Sequence, residues 1–293
     1  MKNILPAVSG PSRRLVLGAA ASVGATPALG KTVSEGLAGY AVNLDTWFKQ
    51  VPFEQRFALA RKLGFTSIEY WSVDRSNTGG KAEAWRKLAD DNGLTLVQFA
   101  PAWPNFADPV KISELLKVTE QAIADAKVLN CTQFTVTGHS LVEGMSREAQ
   151  LAGYTAGLMR MAPMLEAAGV TALVEPFNRV NHLNHLINGS QPALPMMRIV
   201  NSPRVKLLWD FYHMQLEEGD LIQKFNAGAD QVAHVQIGDV PGRHQPGTGE
   251  IHPVNLLRAV RAAGYKGKIG LEFMPLDQDD ARAVRDMLAL NIS

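Results

Sequence analysis

The chain has 293 residues and a formal net charge of +1, with 29 lysines and arginines against 28 aspartates and glutamates. Hydrophobic residues make up 46% and charged residues 19% of it, a balance typical of soluble globular proteins that excludes collagen, coiled coils and disordered tails. Because the chain has no basic excess with which to neutralise a run of phosphates, we expect no nucleic-acid partner. Its single cysteine, Cys131, excludes an internal disulfide, and no CxxC pair is present for a structural zinc ion.

The first thirty residues have the layout of an export signal. The string SRRLVL at 12–17 places an arginine pair before an uncharged, small-residue stretch over 15–29, and it resembles the twin-arginine signal, with Val16 where an aromatic is commoner. A membrane anchor is the alternative, but a span needs about 20 consecutive apolar residues, and glycines and a proline weaken this shorter stretch. We therefore expect a signal peptide over 1–30, a short linker over 31–37, and a periplasmic protein with no stable membrane insertion after the signal is removed.

From residue 38 onward, short apolar runs alternate with longer helical patterns eight times. Two of the helical patterns, 52–63 and 253–263, begin at a proline and are followed by a glycine, as helix ends often are. Strict alternation of strand and helix indicates parallel pairing of the strands. The predicted strands are 39–44, 67–71, 95–100, 133–138, 171–177, 205–211, 232–238 and 268–274.

Eight βα units in about 260 residues fit an α/β protein in which the sheet closes as a (β/α)8 TIM barrel. A doubly wound open sheet is the alternative, but it normally has a glycine-rich turn after its first strand, and residues 42–46 read VNLDT. No change of composition divides the chain after residue 37. We therefore predict one barrel domain over 38–293.

Four consecutive predicted strands each carry an oxygen-bearing side chain near the carboxyl end, where the functional groups of such barrels lie. They are Glu175, Asp210, Gln236 and Glu272. Alternation along the strands turns apolar neighbours such as Val174 toward the helices and these four groups inward. One such residue alone is often a helix cap or a surface charge, and the Gln236 amide can equally satisfy a backbone group. A common site is favoured because the alternation gives all four residues the same inward orientation on four consecutive strands.

Three carboxylates that converge at low dielectric repel each other by several kcal/mol, so they need a cation or protons to coexist. A divalent metal ion meets this need. Oxygen ligands favour Mg²⁺ or Mn²⁺, whereas Zn²⁺ more often recruits histidine and cysteine. The sequence therefore predicts a divalent metal on Glu175, Asp210, Gln236 and Glu272, with coordination positions left for the oxygens of a small-molecule substrate.

Further side chains are candidates for contact with that substrate. His213, expected in the loop after strand six, can hydrogen-bond a substrate oxygen, and Arg243, after strand seven, can clamp a carboxylate or hydroxyls. Trp71 and Trp103 follow strand ends and can wall the pocket. A solvent-facing histidine, an arginine that caps a carbonyl and aromatic core residues are the respective alternatives. His234 is interpreted as a histidine packed inside the barrel.

The segments around these residues resemble the hydroxypyruvate isomerase branch of the xylose-isomerase-like barrels. The likeness covers nearly the whole mature chain and is most specific at AHVQIGDVPGRHQPG over 233–247. It implies that the four residues named above hold the metal and that Glu175 and Glu272 also act as acid and base. Sugar epimerases of the wider family usually carry histidine where Gln236 stands, which favours the isomerase branch.

Departures from the family pattern leave the substrate open. The loop 101–106 is short and aromatic, 178–185 is unlike the typical isomerase, and His252 replaces the more usual Asn or Asp. We expect a metal-dependent isomerase that interconverts an α-hydroxy aldehyde and ketone through an enediolate, acting on a sugar or hydroxy-keto acid. An epimerase of the same superfamily is the alternative. A multi-zinc phosphodiesterase and a vestigial binding protein are less favoured, and a homo-oligomer stays open.

Overall fold

The structure is a computed structural model that describes residues 32–72 and 81–290. The export signal predicted over 1–30 lies outside the described residues, so it stays a prediction. Among the helices of the described ranges, none has the length and hydropathy that a membrane span requires.

Eight parallel strands close into a barrel in chain order, with the first strand paired to the last. This confirms the predicted (β/α)8 fold in a single domain. The strands are Tyr40–Asn43 (β1), Ser67–Ser72 (β2), Thr95–Ala100 (β3), Gln133–Thr137 (β4), Thr171–Glu175 (β5), Val205–Asp210 (β6), Val232–Ile237 (β7) and Ile269–Leu271 (β8).

Helices connect the strands in the predicted alternation. Two of them, α7 and α8, follow β6 in succession. The helices of the described residues are Val33–Leu37 (α1), Phe53–Lys62 (α2), Ala82–Asp91 (α3), Ile112–Leu129 (α4), Arg147–Ala168 (α5), Ser190–Val200 (α6), Phe211–Glu217 (α7), Leu221–Gly228 (α8), Pro253–Ala262 (α9) and Asp280–Ala289 (α10).

Most of the segment 31–37, which was predicted as a short linker, forms helix α1. Thr32 and Glu35 make a capping box, in which the Thr32 hydroxyl accepts from the Glu35 backbone N–H and the Glu35 carboxylate accepts from the Thr32 backbone. Leu37 is buried at the end of this helix. The barrel domain therefore begins with a capped helical turn before β1.

Two strands that carry site residues are shorter than predicted. β5 ends at Glu175, because the next residue, Pro176, has no N–H to extend the ladder. β8 has only three residues and pairs with β1 and β7 through Ile269–Leu271, so Glu272 lies just after the strand. The carboxyl edge of the barrel therefore carries Glu175 as a last strand residue and Glu272 as a first loop residue.

Aromatic side chains fill the layer between β2 and the helices α2 and α3. Phe57 is fully buried there, with its ring centroid 5.7 Å from that of Phe53, 6.3 Å from Trp85 and 6.4 Å from Tyr70. Edge-to-face and stacked contacts of this kind are favourable beyond the area that they bury. This layer anchors the strand that brings Trp71 to the carboxyl edge.

We expect Phe57→Ala to lower the free energy of unfolding by about 3–5 kcal/mol, because it leaves a cavity among rings that cannot collapse around it. Urea denaturation followed by tryptophan fluorescence measures the change. Leu183→Ala is the matched control, since the Leu183 side chain is 76% exposed, and it should change the stability by less than about 0.5 kcal/mol. Equal losses in the two variants would contradict this packing argument.

Candidate active site

A cavity of about 290 Å³ opens at the carboxyl edge of the barrel. Six of the eight residues predicted for the site line it, namely Trp71, Glu175, His213, Gln236, Arg243 and Glu272. The rest of the wall consists of Gln98, Ala100, Thr135, Thr137, Phe177, His182 and Leu208. Asp210 contacts two residues of this wall, Arg243 and His213.

The three predicted acidic ligands are all buried and share cationic or hydrogen-bonding neighbours. Arg243 Nη2 lies 2.6 Å from Asp210 Oδ2 and 3.1 Å from Glu272 Oε2. Glu175 Oε1 lies 3.7 Å from His213 Nε2, which is also 3.5 Å from Asp210 Oδ2. The structure therefore brings the ends of β5 and β6 and the residue after β8 into one cluster.

His213 is not in a loop, as predicted, but in the first turn of α7. The Asp210 Oδ1 atom accepts a hydrogen bond from the Tyr212 backbone N–H at 2.9 Å and caps this helix, so the chain turns from strand to helix without a connecting loop. The imidazole is buried as a result. The Asp210 side chain thus both caps α7 and faces the ring of His213.

The hydrogen bonds of His213 indicate its tautomer. Asn178 Oδ1 accepts from the Asn181 backbone N–H at 2.8 Å, which orients the Asn178 amide so that its Nδ2 faces His213 Nδ1 at 2.6 Å. Nδ1 therefore accepts, and a neutral imidazole then carries its proton on Nε2. His213 accordingly presents an N–H donor to the acidic cluster and the cavity. Asn178 and His213 become neighbours only in the folded chain, so the sequence alone did not predict that Asn178 sets the tautomer of His213.

The loop that carries Arg243 is organised around the buried carboxylate of Asp239. Asp239 Oδ1 accepts from the backbone N–H groups of Val240 and Ile251, and Oδ2 accepts from those of Gly247 and Gly249, at 2.8–3.0 Å. A side chain at Gly249 would place its Cβ 2.1 Å from the Val240 carbonyl oxygen. These contacts explain why the motif over 233–247 is followed by a glycine at 249.

Arg243 caps a backbone carbonyl, which the sequence left as the alternative to substrate binding, and it also meets two carboxylates of the protein. Its Nε donates to the Glu272 backbone carbonyl at 3.0 Å, while Nη2 meets the carboxylates of Asp210 and Glu272. The guanidinium also lies over the Tyr212 ring, 4.7 Å from its centroid. The cation is therefore fixed on the acidic cluster by contacts to three separate elements.

The two predicted tryptophans have different positions. Trp71 Nε1 donates to Glu272 Oε1 at 2.7 Å, and the ring lines the cavity. Trp103 Nε1 donates instead to the Thr135 carbonyl at 2.8 Å, and its ring packs 5.4 Å from that of Phe134. The lining of the cavity among the described residues does not include Trp103. The structure therefore corrects its predicted role from a pocket wall to packing above β4.

Burial dominates the electrostatics of the cluster. It raises the pKa of Glu175 well above the ordinary value, with a further rise from Glu272, and it raises the pKa of Asp210. Burial raises the pKa of Glu272 to about 8, although Arg243 acts to lower it. For Arg243, burial acts to lower the pKa, but the carboxylates outweigh it and raise the pKa. Burial lowers the pKa of His213 well below its ordinary value, so this imidazole is neutral.

These groups can hold a divalent metal ion. The ligand atoms of Glu175, Asp210 and His213 lie within 4.8 Å of one another. Gln236, also in the cavity wall, has a buried Oε1 atom without a hydrogen-bond partner. When all are ionised, three carboxylates face the single charge of Arg243, and a divalent ion would neutralise the excess. The oxygen donors and the uncompensated charge thus both fit a metal ion.

We expect the chelator-treated protein to lose stability as the pH rises from 4.5 to about 8. The folded state keeps a proton on Glu272 where the unfolded chain has released it, so the free energy of unfolding falls with pH. Glu272→Gln, which cannot ionise, should remove roughly 1–4 kcal/mol of this fall. Urea unfolding of both proteins across this pH range tests the expectation. Parallel stability profiles would contradict a raised pKa of Glu272.

The chain is similar in sequence to known isomerases and in structure to a solved barrel protein. The chain is 30% identical over 244 residues to 2-oxo-tetronate isomerase from Pectobacterium atrosepticum, a match that covers 80% of this chain and 92% of the relative. It is 26% identical over 257 residues to hydroxypyruvate isomerase from Escherichia coli, covering 83% and 95% of the two chains. The crystal structure of AP endonuclease, family 2, from Brucella melitensis has a TM-score of 0.75 and 29% identity, covering 80% of this chain and 93% of its own.

The relatives named as isomerases confirm the predicted enzyme class, an isomerase. Residues 57–290 match the family model described as xylose isomerase-like TIM barrel. The chain therefore belongs to the xylose isomerase-like TIM barrel family.

Proposed function

We propose that this protein is a divalent-metal-dependent isomerase that interconverts the α-hydroxy ketone and α-hydroxy aldehyde forms of a small hydroxy-keto acid through an enediolate. The observation that carries the proposal is the group of three buried carboxylates at a small cavity, next to the unpartnered Oε1 of Gln236. The relatives that act on hydroxypyruvate and 2-oxo-tetronate support this substrate class.

The metal would be held by Glu175, Asp210, Gln236 and Glu272. All four are oxygen donors, which favours Mg²⁺ or Mn²⁺ over Zn²⁺. When bound, the ion supplies Lewis-acid stabilisation for negative charge that develops on two adjacent substrate oxygens. His213 remains outside this set, because its Nε2 carries a proton in the tautomer that Asn178 imposes.

Glu175 and Glu272 are the proposed acid and base. The reaction removes a proton from the carbon beside the carbonyl and returns one to the neighbouring carbon, so it needs groups that both accept and donate near neutral pH. Burial raises the pKa of Glu175 and sets that of Glu272 to about 8, which suits such a role. They lie on different walls of the cavity, at the end of β5 and just after β8.

His213 and Arg243 are proposed to hold the substrate oxygens. The imidazole stays neutral because its pKa is held low, and its Nε2–H can donate a hydrogen bond to a substrate oxygen. The Arg243 guanidinium already faces two carboxylates and remains charged. Trp71, whose indole N–H holds Glu272, forms the adjacent wall. These contacts would orient the reacting carbons toward the glutamates.

An epimerase would use the same residues but return the proton to the carbon that lost it. Gln236 in place of the histidine that is usual in sugar epimerases favours the isomerase. An AP endonuclease, as the Brucella structure is named, would need a basic surface for phosphates, and the chain has a net charge of only +1. The isomerase is therefore the function that the site supports best.

We expect the protein with Mg²⁺ or Mn²⁺ in D₂O to convert hydroxypyruvate into its aldehyde isomer, or 2-oxo-tetronate into its 3-oxo isomer, and to place deuterium beside the carbonyl, both visible by NMR. Glu175→Gln and Glu272→Gln should each lower the exchange rate by ~10²–10⁴-fold, because each removes a proton-transfer group. Glu143→Gln, at an exposed position outside the cavity, is the matched control and should leave the rate unchanged. Wild-type exchange in either variant would remove that glutamate from the mechanism, and inversion without isomerisation would favour the epimerase.

Treatment with a chelator should abolish exchange, and added Mg²⁺ or Mn²⁺ should restore it, because the ion is the proposed Lewis acid for the charge on two adjacent oxygens. The rate is measured by NMR after dialysis and again during titration with each ion. Asp210→Asn should need a higher ion concentration for the same rate, since it removes one charged ligand. Full activity of the chelated protein would contradict metal dependence.

A further inference from the structure

Glu69 is a buried acidic residue within the barrel that lies outside the cavity wall and has no part in the mechanism so far. It belongs to β2 and has no exposed surface. Its carboxylate crosses the interior as far as β8, where a Cβ on Gly270 would lie 2.5 Å from Glu69 Oε2. Because a buried carboxylate is costly without partners, its contacts indicate what it is for.

Three side-chain N–H donors converge on this carboxylate. Asn43 Nδ2 and Gln236 Nε2 donate to Oε1 at 3.1 and 2.7 Å, and His234 Nε2 lies 2.7 Å from Oε2. The Asn43 amide is fixed from its other side, since its Oδ1 accepts from the Asp45 backbone N–H at 2.9 Å. Glu69 is therefore the common acceptor of a buried, oriented set of donors.

The contact with Gln236 has a directional consequence. A carboxylate oxygen only accepts, so it selects the N–H end of the amide and turns the oxygen end away. Gln236 Oε1 is then buried without a partner in the cavity wall, on a strand that pairs with Asp210 on one side and Gly270 on the other. Metal ions bind an amide through its oxygen, so only this orientation makes Gln236 a ligand.

We propose that Glu69 is a positioning residue that holds the Gln236 amide with Oε1 toward the acidic cluster, and thereby sets the affinity of the site for its divalent ion. The inference rests on the proposed metal-dependent function. Without Glu69, the amide could rotate to offer Nε2 to Asp210 or Glu272 and so remove one ligand. Substitution of a residue that hydrogen-bonds a metal ligand typically changes the metal affinity by about 10–100-fold.

The test is calorimetric titration of Mn²⁺ into chelator-treated protein. Glu69→Met keeps the length of the side chain but removes the acceptor, and it should weaken Mn²⁺ binding by about 10–100-fold. Glu69→Gln can still offer an oxygen to Gln236 and should recover most of the affinity. Asn43→Ala disturbs the same carboxylate without touching Gln236, so it should keep wild-type affinity. If Glu69→Met does not fold, Glu69→Asp, which withdraws the carboxylate from Gln236, takes its place.

A double-mutant cycle separates positioning from general damage to the barrel. In a Gln236→Met background, the substitution of Glu69 should cause no further loss of Mn²⁺ affinity, because the amide through which it acts is gone. If the losses of Mn²⁺ affinity caused by the two substitutions add in the double variant, or if Glu69→Met keeps wild-type affinity, the positioning role is overturned. The metal site itself would stand in either case. Absence of Mn²⁺ binding by the wild-type protein would instead overturn the proposed metal dependence, and the positioning role with it.

Discussion

Glu175, Asp210 and Glu272 bring three carboxylates into a region where burial deprives them of hydration. Parallel strands in a closed barrel put their carboxyl ends on one edge, so residues far apart in sequence meet there by topology alone. Burial raises the pKa of all three groups, and repulsion from neighbouring carboxylates adds to the rise. The barrel is rigid enough to keep the carboxylates together, and their charge must be offset from elsewhere.

Much of the surrounding structure positions the groups that offset the negative charge of the three carboxylates. Arg243 reaches the cluster from a loop in which its own φ is 54°, in the left-handed region that non-glycine residues rarely adopt. The four backbone hydrogen bonds to Asp239 hold this loop, and so they stabilise a conformation that would otherwise be unfavourable. A neutral His213 adds an N–H donor without adding charge. The cation and the donor are thus held in place before any ligand arrives.

The sequence predicted those features that depend on periodicity. Alternation of apolar and polar residues placed Glu175 and Asp210 at strand ends, and eight repeats of strand and helix indicated the barrel. It did not predict helix α7, because the cap that starts the helix is Asp210 itself, a residue already assigned to the metal. The helix at Val33–Leu37 was missed although its capping box is readable in the sequence, since the segment was interpreted as a linker.

Glu69 was missed for a different reason. The single glutamate between Ile68 and Tyr70 has the same alternation as the four predicted ligands, but it lies within β2 and not at the carboxyl end, where the functional groups of such barrels are expected. Its proposed role is exerted on Gln236 of β7, whereas Asn43 is its register partner on the adjacent strand β1. Local patterns carry no information about the contact with Gln236, because β2 and β7 are far apart in the chain and their side chains meet only inside the closed barrel.

The interior of the barrel therefore has two clusters of polar side chains, which differ in their balance of hydrogen-bond donors and acceptors. Around Glu69, three donors meet one acceptor group, and that hydrogen-bonded arrangement gives the side chains fixed orientations. Among the described residues at the cavity, acceptors outnumber donors, since three carboxylates and the Gln236 oxygen face one guanidinium, one imidazole N–H and the indole N–H of Trp71. Gln236 belongs to both clusters. The hydrogen-bonded cluster around Glu69 therefore fixes the orientation in which Gln236 presents its oxygen to the cavity. The proposed function, in which the site binds a cation and moves protons, requires this imbalance at the open edge of the barrel and a rigid polar cluster beneath it that maintains the orientation of the ligands.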